Sequence, residues 1–293
     1  TALPRRRRQN YQRKIPQSLV GSRLKFMIKL VKSTFYQEAK TKAALINFIR
    51  GAWQFSFGRE CRRFEENFSR YQERKYSIFF NSGSSANLAI IQALLNLGKI
   101  KKGERVGFSA LTWSTNVMPL IELGLEVLPI DAELDTLNVS SQKLLACLKK
   151  QPIKMLFLTN LLGFCDDIDK IAEICRQKKI ILIEDNCESL GTVYQGKKLG
   201  NFGLASTFSF FVGHHLSTIE GGMVCTDDKE LAAMLKIVRT HGWDRNLEKA
   251  EQEKLKNKFN VESSFYDRYT FYDLGFNLRP TEIQGFLGNS QLP

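Results

Sequence analysis

Three short stretches of this chain put reactive residue types where an α/β protein keeps its ligands. In Phe80-Asn81-Ser82-Gly83-Ser84-Ser85-Ala86-Asn87 a β-type run gives way, through small residues, to a helical one. Gly83 lets a backbone come close, and the free N–H groups and dipole of a helix start at Ser84 and Ser85 favour an anion such as a phosphate. The plain alternative is a helix cap. There is no G-x-G-x-x-G and no P-loop lysine pattern, which turns the reading away from dinucleotides and nucleoside triphosphates. In Ile181-Leu182-Ile183-Glu184-Asp185-Asn186-Cys187-Glu188 an apolar strand ends in carboxylates, at the edge where parallel sheets bind ligands. Asp185 could keep a cofactor's pyridinium nitrogen protonated, or it could simply cap a helix. In Thr207-Phe208-Ser209-Phe210-Phe211-Val212-Gly213-His214-His215 a strand runs into a loop with two of the chain's three histidines, and Gly221-Gly222 follow. An imidazole, with an ordinary pKa of about 6.5, moves protons readily near neutrality, although a lone histidine is more often structural. Adjacent His214 and His215 point different ways and no His, Cys or carboxylate set has ligand spacing, so no metal is expected.

The elements that must carry these residues alternate. Strands are predicted at 77–80, 105–109, 126–130, 154–158, 180–184, 206–210 and 223–226, from β-branched or aromatic runs. Helices are predicted at 84–97, 115–123, 141–149 and 168–178, from apolar residues at helical spacing. The charged segment 246–260 reads as a surface helix or loop, and a helical start runs from Pro280 to Leu287. Alternating βα units predict an α/β fold around a mostly parallel sheet.

Taken together, the three segments resemble the DegT/DnrJ/EryC1/StrS sugar aminotransferase family over about Phe57 to Leu292. The resemblance implies the large domain of a pyridoxal-phosphate enzyme of fold type I, the aspartate aminotransferase fold. The family's S-G-T-x-A turn is similar to Ser82-Gly83-Ser84-Ser85-Ala86. Its A-L-T-W segment matches Ala110-Leu111-Thr112-Trp113, which implies that Trp113 stacks on the pyridine ring; read alone, Trp113 would be core. Its E-D-x-x-Q matches Glu184 to Glu188, with Glu188 in place of the common glutamine beside the cofactor's phenolic oxygen. Ser209 matches a phosphate-holding serine. Asn277 and Arg279 match the G-x-N-x-R-x-T-E-I-Q stretch that in the family reaches a neighbouring subunit's site, which implies a homodimer with shared active sites.

The departure from the family is informative. Its aminotransferases read F-S-F-x-P-x-K-x-x-x-x-x-E-G-G, whereas this chain has His214 at the lysine position with the spacing to Glu220-Gly221-Gly222 unchanged. A lysine would tether the cofactor covalently and release an aminated product; an imidazole can only take and give protons. Histidine there resembles the sugar 3-dehydratases, and the absence of cysteine after Arg239-Thr240-His241-Gly242-Trp243-Asp244-Arg245 favours the GDP-4-keto-6-deoxymannose 3-dehydratase-like branch, with no iron–sulfur cluster. The resemblance then implies pyridoxal or pyridoxamine 5′-phosphate bound non-covalently and His214 as the acid–base group. It further implies a nucleotide-linked 4-keto-6-deoxyhexose losing its C3 hydroxyl in deoxysugar and O-antigen biosynthesis, with glutamate as amino donor and His241 and Arg245 on the sugar diphosphate. The rival readings are a nucleotide-sugar aminotransferase with unusual proton transfer and a non-catalytic truncated member of the family.

Bulk properties bound these readings. The 293 residues, 43% hydrophobic and 25% charged, suffice for a sizeable core. No apolar run reaches the roughly 20 residues of a membrane helix, no signal peptide is visible, and the six scattered cysteines suit a reducing compartment, so the expectation is a cytoplasmic protein away from membranes. The formal charge of +13 comes mostly from ten basic residues between Arg5 and Lys32, a stretch without an acidic residue; the remainder holds 33 basic against 30 acidic groups. A basic extension over 1–35 that is solvated, or that binds a polyanion or serves as an organelle-targeting tail, fits this better than a nucleic-acid groove. The expected organisation is completed by a cofactor-binding large domain over 36–245, then over 246–293 a connecting segment and the start of a small C-terminal domain that is largely missing.

Overall fold

The computed structural model describes residues 33–292, so the basic extension expected over 1–35 lies outside the described residues except for 33–35. In chain order the strands are β1 (Tyr76–Phe80), β2 (Arg105–Ser109), β3 (Glu126–Ile130), β4 (Met155–Thr159), β5 (Ile181–Asp185), β6 (Val193–Tyr194), β7 (Lys197–Lys198), β8 (Ala205–Ser209) and β9 (Gly222–Thr226). Seven form one sheet in the order β1-β9-β8-β5-β4-β2-β3, and β6 and β7 form a small hairpin. Strand β9 is antiparallel to both neighbours, while β8, β5, β4, β2 and β3 pair in parallel, so the sheet is mostly parallel as expected.

A parallel sheet covered on both faces needs strands that are apolar on both sides, and β4 shows this with all five residues buried. Its alternate residues feed two cores, as the two-residue strand period demands. Met155 and Phe157 join Ala86, Ala89, Ile90 and Leu94 of α3 (Gly83–Asn96). Leu156 and Leu158 join Leu144 of α5 (Ser141–Lys150) and Ile168, Ile171 and Cys175 of α6 (Ile168–Gln177). A third core, mostly aromatic, lies where α2 (Arg59–Gln72) crosses the β1-β9-β8 end. There Phe64 stands 4.9 Å from Phe79 and 5.2 Å from Phe210, centroid to centroid, and Phe68 stands 5.2 Å from Phe208.

The start of α2 is closed from far along the chain. Buried Glu282, at the head of α10 (Glu282–Gln291), accepts the N–H groups of Gly58 at 2.8 Å, Glu60 at 2.9 Å and Cys61 at 3.0 Å. These are helix-start donors that otherwise lack partners. Phe286 of α10 also stacks at 4.6 Å on Phe48 of α1 (Glu38–Gly51).

The predicted strands fall within a residue of those observed. Helices α1, α2, α7 (Lys229–Arg239) and the short α9 (Ser264–Asp267) add to the predicted set, and the helix expected over 115–123 divides into a 3-10 turn, Ser114–Asn116, and α4 (Met118–Glu122). Pro119 in the first turn of α4 explains the division, since proline suits a helix start and not its interior. The charged 246–260 segment forms α8 (Lys249–Lys258), which buries no residue.

Candidate active site

The floor of the site is the carboxyl end of β5. Asp185 is 4% exposed, and its Oδ2 accepts the side-chain amides of Asn116 at 2.6 Å and Asn87 at 3.2 Å. Its Oδ1 accepts the Cys187 N–H, at 2.9 Å. A carboxylate offers about four lone-pair sites, so Oδ1 keeps capacity for one more donor. Next to it, Glu184 points elsewhere: fully buried, it takes the N–H groups of Gly200, Phe202 and Gly203, each at 2.7 Å. Burial pushes its carboxyl pKa up, against the pull of those three N–H groups. Glu184 therefore ties the 200–203 loop to the sheet. The holders Asn87 and Asn116 went unremarked in the sequence. Asn87 was findable as a polar residue within the apolar Ala86-Asn87-Leu88-Ala89 turn of α3.

Above this floor stands the start of α3. Ser82 caps it, its Oγ accepting the Ser85 N–H at 3.1 Å. No acidic residue lies in the first turn, so the helix's positive end has no internal counter-charge. Gly83 packs directly on Ser209 at the end of β8: a Cβ on Gly83 would lie 2.6 Å from Ser209 Cβ and 2.9 Å from its Oγ. On β9, a Cβ on Gly222 would lie 2.1 Å from the Ser82 carbonyl oxygen. These two close approaches bring the Ser82–Ser85 turn and the Ser209 hydroxyl together, as a phosphate cradle requires.

His214 sits half-buried on the loop that leaves β8, its N–H donated to Phe211 O at 2.9 Å. Burial lowers its pKa below the usual imidazole value; the charges of Glu188 and then Asp185 oppose this, and His215 adds to it. The neutral ring is thus favoured near neutrality. Glu188 is itself held, its Oε2 accepting the Leu162 N–H at 2.9 Å. His215 is exposed, and among the described residues no group of three His, Cys, Asp or Glu could hold a metal.

Of the remaining candidates all but the half-buried His241 are exposed. Trp113, 73% exposed, leads into the turn that carries Asn116. His241 has a left-handed φ of 58°, and its N–H is donated to Phe276 O at 2.8 Å. Arg245 is exposed, with its guanidinium 3.9 Å over the Trp243 ring and bonded to Arg268 O. Asn277 and Arg279 are exposed and bonded to each other at 2.9 Å. Leu278 between them accepts from Asn81 N and donates to Arg239 O, each at 3.0 Å, which runs this strip alongside the Ser82–Ser85 turn. Gln284, not singled out in the sequence, donates to Glu220 O at 2.6 Å and Asn81 O at 3.4 Å.

Compared with known proteins, residues 36–293 match the model of the DegT/DnrJ/EryC1/StrS aminotransferase family. The chain belongs to that family. It is 40% identical over 240 residues to GDP-4-keto-6-deoxy-D-mannose 3-dehydratase of Yersinia pseudotuberculosis, with 81% of this chain and 60% of the relative covered. It is 37% identical over 265 residues to the enzyme of the same name from Escherichia coli O55:H7, with 89% and 66% covered. The chain thus spans about three fifths to two thirds of these relatives' length. A crystal structure of GDP-4-keto-6-deoxymannose-3-dehydratase with a trapped PLP-glutamate geminal diamine superposes with a TM-score of 0.81 at 36% identity, covering 91% of this chain and 68% of that one. The solved structure of the Helicobacter pylori aminotransferase PseC superposes with a TM-score of 0.72 at 25% identity, covering 86% of this chain and 62% of that one, and the α/β fold of type I stands.

Proposed function

We propose that this chain holds pyridoxal 5′-phosphate, or its pyridoxamine form, without a covalent tether, and serves to remove the C3 hydroxyl of a nucleotide-linked 4-keto-6-deoxyhexose. By likeness to its relatives the sugar is GDP-4-keto-6-deoxymannose. The observation that carries this reading is the half-buried His214 on the loop after β8, in a stretch from Phe210 to Glu220 that contains no lysine.

The residues suit the cofactor. Among the described residues, Thr207 Oγ1, Asn87 Oδ1 and Asn116 Oδ1 are buried polar atoms without a partner, and all three belong to side chains at or beside Asp185. Buried polar atoms left unpaired are costly unless a ligand or water meets them. Gly83, Ser84, Ser85 and Ser209 would hold the phosphate, Asp185 the ring nitrogen, Glu188 the phenolic oxygen and Trp113 the ring face. When bound, the cofactor's ring supplies an electron sink beside the reacting carbons. His214, its pKa lowered by burial, takes up a proton as a neutral base and, once charged, hands one to the departing C3 hydroxyl. His241, Arg245, Asn277 and Arg279 would face the sugar and its diphosphate, Asn277 and Arg279 across a homodimer. Glutamate would supply the amino group that returns the cofactor to its amine form. Among the described residues no helix is long and apolar enough to cross a membrane, and cytoplasmic residence completes the reading.

The test is incubation of the protein with pyridoxamine 5′-phosphate, glutamate and GDP-4-keto-6-deoxymannose in heavy water. A 3-deoxy-4-keto product with deuterium at C3 is expected; a 4-amino sugar would refute the proposal. His214→Lys should abolish deoxygenation, and unchanged dehydration would remove His214 from the chemistry.

A further inference from the structure

The loop that carries His214 is gripped from α10. It leaves β8 through the fully buried Phe210 and returns to β9 at Gly221, closed at its base by Phe210 N–H on Gly221 O at 2.8 Å. From α10, Gln284 Nε2 donates to Glu220 O at 2.6 Å, and Gln291 Nε2 donates to Ser217 O. The two glutamines lie seven positions apart, two helical turns, so both leave one face of α10 and meet one loop. Gln284 Nε2 also reaches Asn81 O, just before the Ser82–Ser85 turn, at the longer distance of 3.4 Å. The other end of this amide is engaged as well: Gln284 Oε1 accepts Thr281 N–H at 2.7 Å and Thr281 Oγ1 at 3.0 Å, in the capping box that starts α10. Glutamate serves a capping box as well as glutamine does. What the amide adds is its N–H donors, and those go to the loop and the turn. Between the two gripped carbonyls stands Ile219 with φ 74°, a region that a β-branched residue avoids, and its side chain is 48% exposed, so burial offsets little of the strain.

We propose that Gln284 and Gln291 are positioning residues: through them α10 holds the His214 loop against its own strain at Ile219 and fixes it relative to the Ser82–Ser85 turn. The part that concerns catalysis rests on His214 being the acid–base group proposed above; the grip itself rests on the hydrogen bonds alone. His214 lies three residues before Ser217, and Leu216, 6% exposed within the aromatic core, stands between them. A loop pinned at Ser217 and Glu220 therefore leaves the imidazole little freedom. Proton transfer depends on that, because a misplacement of about 1 Å can cost a hundredfold in rate. The grip is anchored in the body of the domain, since the same helix clasps the start of α2 through Glu282.

The experiment is amide hydrogen exchange, read by mass spectrometry over residues 211–221, on the protein without cofactor or sugar. Gln284→Glu keeps the capping box and removes the donors, so exchange over 211–221 should quicken about tenfold, the weight of one hydrogen bond. Gln291→Met should act in the same direction and decides the matter if Gln284→Glu does not fold. The control is Asn289→Ala, which removes α10's bonds to Glu60 and Asn67 on α2 and none to the loop; its 211–221 exchange should stay at the wild-type rate. Adding Ile219→Asn, which accepts a left-handed backbone more readily, should bring Gln284→Glu back towards that rate, and no return would overturn the part assigned to Ile219. Unchanged exchange in Gln284→Glu would overturn the proposal, and so would an equal rise in Asn289→Ala, the mark of a general loosening of α10. In turnover, kcat for dehydration should fall roughly ten- to a hundredfold in Gln284→Glu and hold in Asn289→Ala; a loosened loop with unchanged kcat would strike out the positioning role. An inactive wild-type protein would count instead against the dehydratase reading and leave the exchange result standing.

Discussion

Substituting Gly83 by alanine tests whether the helix start and the strand end form one rigid cradle. The added Cβ would lie 2.6 Å from Ser209 Cβ, where ordinary contacts begin at 3.4 Å, so α3 and β8 must part by up to about 0.8 Å or Ser209 must rotate away. Overpacking of this kind costs about 1–3 kcal/mol, reduced by at most about 1 kcal/mol of helix propensity gained on leaving glycine. A net loss of about 1–2 kcal/mol is expected, a factor of roughly 5–30 in the folding equilibrium. Ser209→Gly removes the atoms in the way at a separate cost of about 0.5–1 kcal/mol. In the double variant most of the steric part should vanish, only the 3.2 Å approach to the residue-209 Cα remaining, leaving a favourable coupling of about 1–3 kcal/mol. Urea unfolding of the four proteins, followed by far-ultraviolet circular dichroism, measures that coupling. Pyridoxamine phosphate affinity, read by absorbance titration, should fall in Gly83→Ala and stay low in the double variant, because the Ser209 hydroxyl is gone. Additivity within about 0.5 kcal/mol would mean that the two residues do not press on each other, and the cradle would be wrong.

Two further outcomes follow from the same geometry. Asn116→Ala removes the shorter of the two amide bonds to the buried Asp185 and should cost about 1.5–3 kcal/mol, more than Asn87→Ala; equal stabilities on urea titration would show that Asp185 does not depend on it. The lowered pKa of His214 places the acid limb of the kcat/KM profile below the usual imidazole value of about 6.5. The sign for stability is the same: between the lowered and the ordinary value the unfolded chain binds more protons at this site, so stability rises with pH across that window and is flat above it. A His214→Gln variant should lose both dependences, and an acid limb that survives the substitution belongs to another group.

The sheet was legible because its strands are short apolar runs punctuated by glycine, and β4 or β5 could be little else. Helix α2 escaped notice because its charged residues, Arg59 to Glu66 among them, mask the Cys61, Phe64 and Phe68 spacing that turns one face inward. The candidate site was legible where a motif carries its own geometry, as at Ser82–Ser85. It was opaque where the partner is remote: nothing local ties Asn87 or Asn116 to Asp185, or Leu162 to Glu188, because those pairings are made by strand order. Glu184 shows the converse, a carboxylate beside Asp185 whose role in holding the 200–203 loop is visible only once Gly200, Phe202 and Gly203 are seen around it.

The clasp of Glu282 on Gly58, Glu60 and Cys61 joins residues 221 to 224 positions apart, and this ordering has a cost during biosynthesis. A nascent polypeptide exposes the α2 sequence early, yet the carboxylate that completes its first turn leaves the ribosome only after the whole sheet has been made. Until then the phenylalanine face of α2 must wait on a loosely held helix, a state open to chaperones and to aggregation. A translational stop between Thr226 and Glu282 would release a chain with every described strand present and the phenylalanine face of α2 still unlatched.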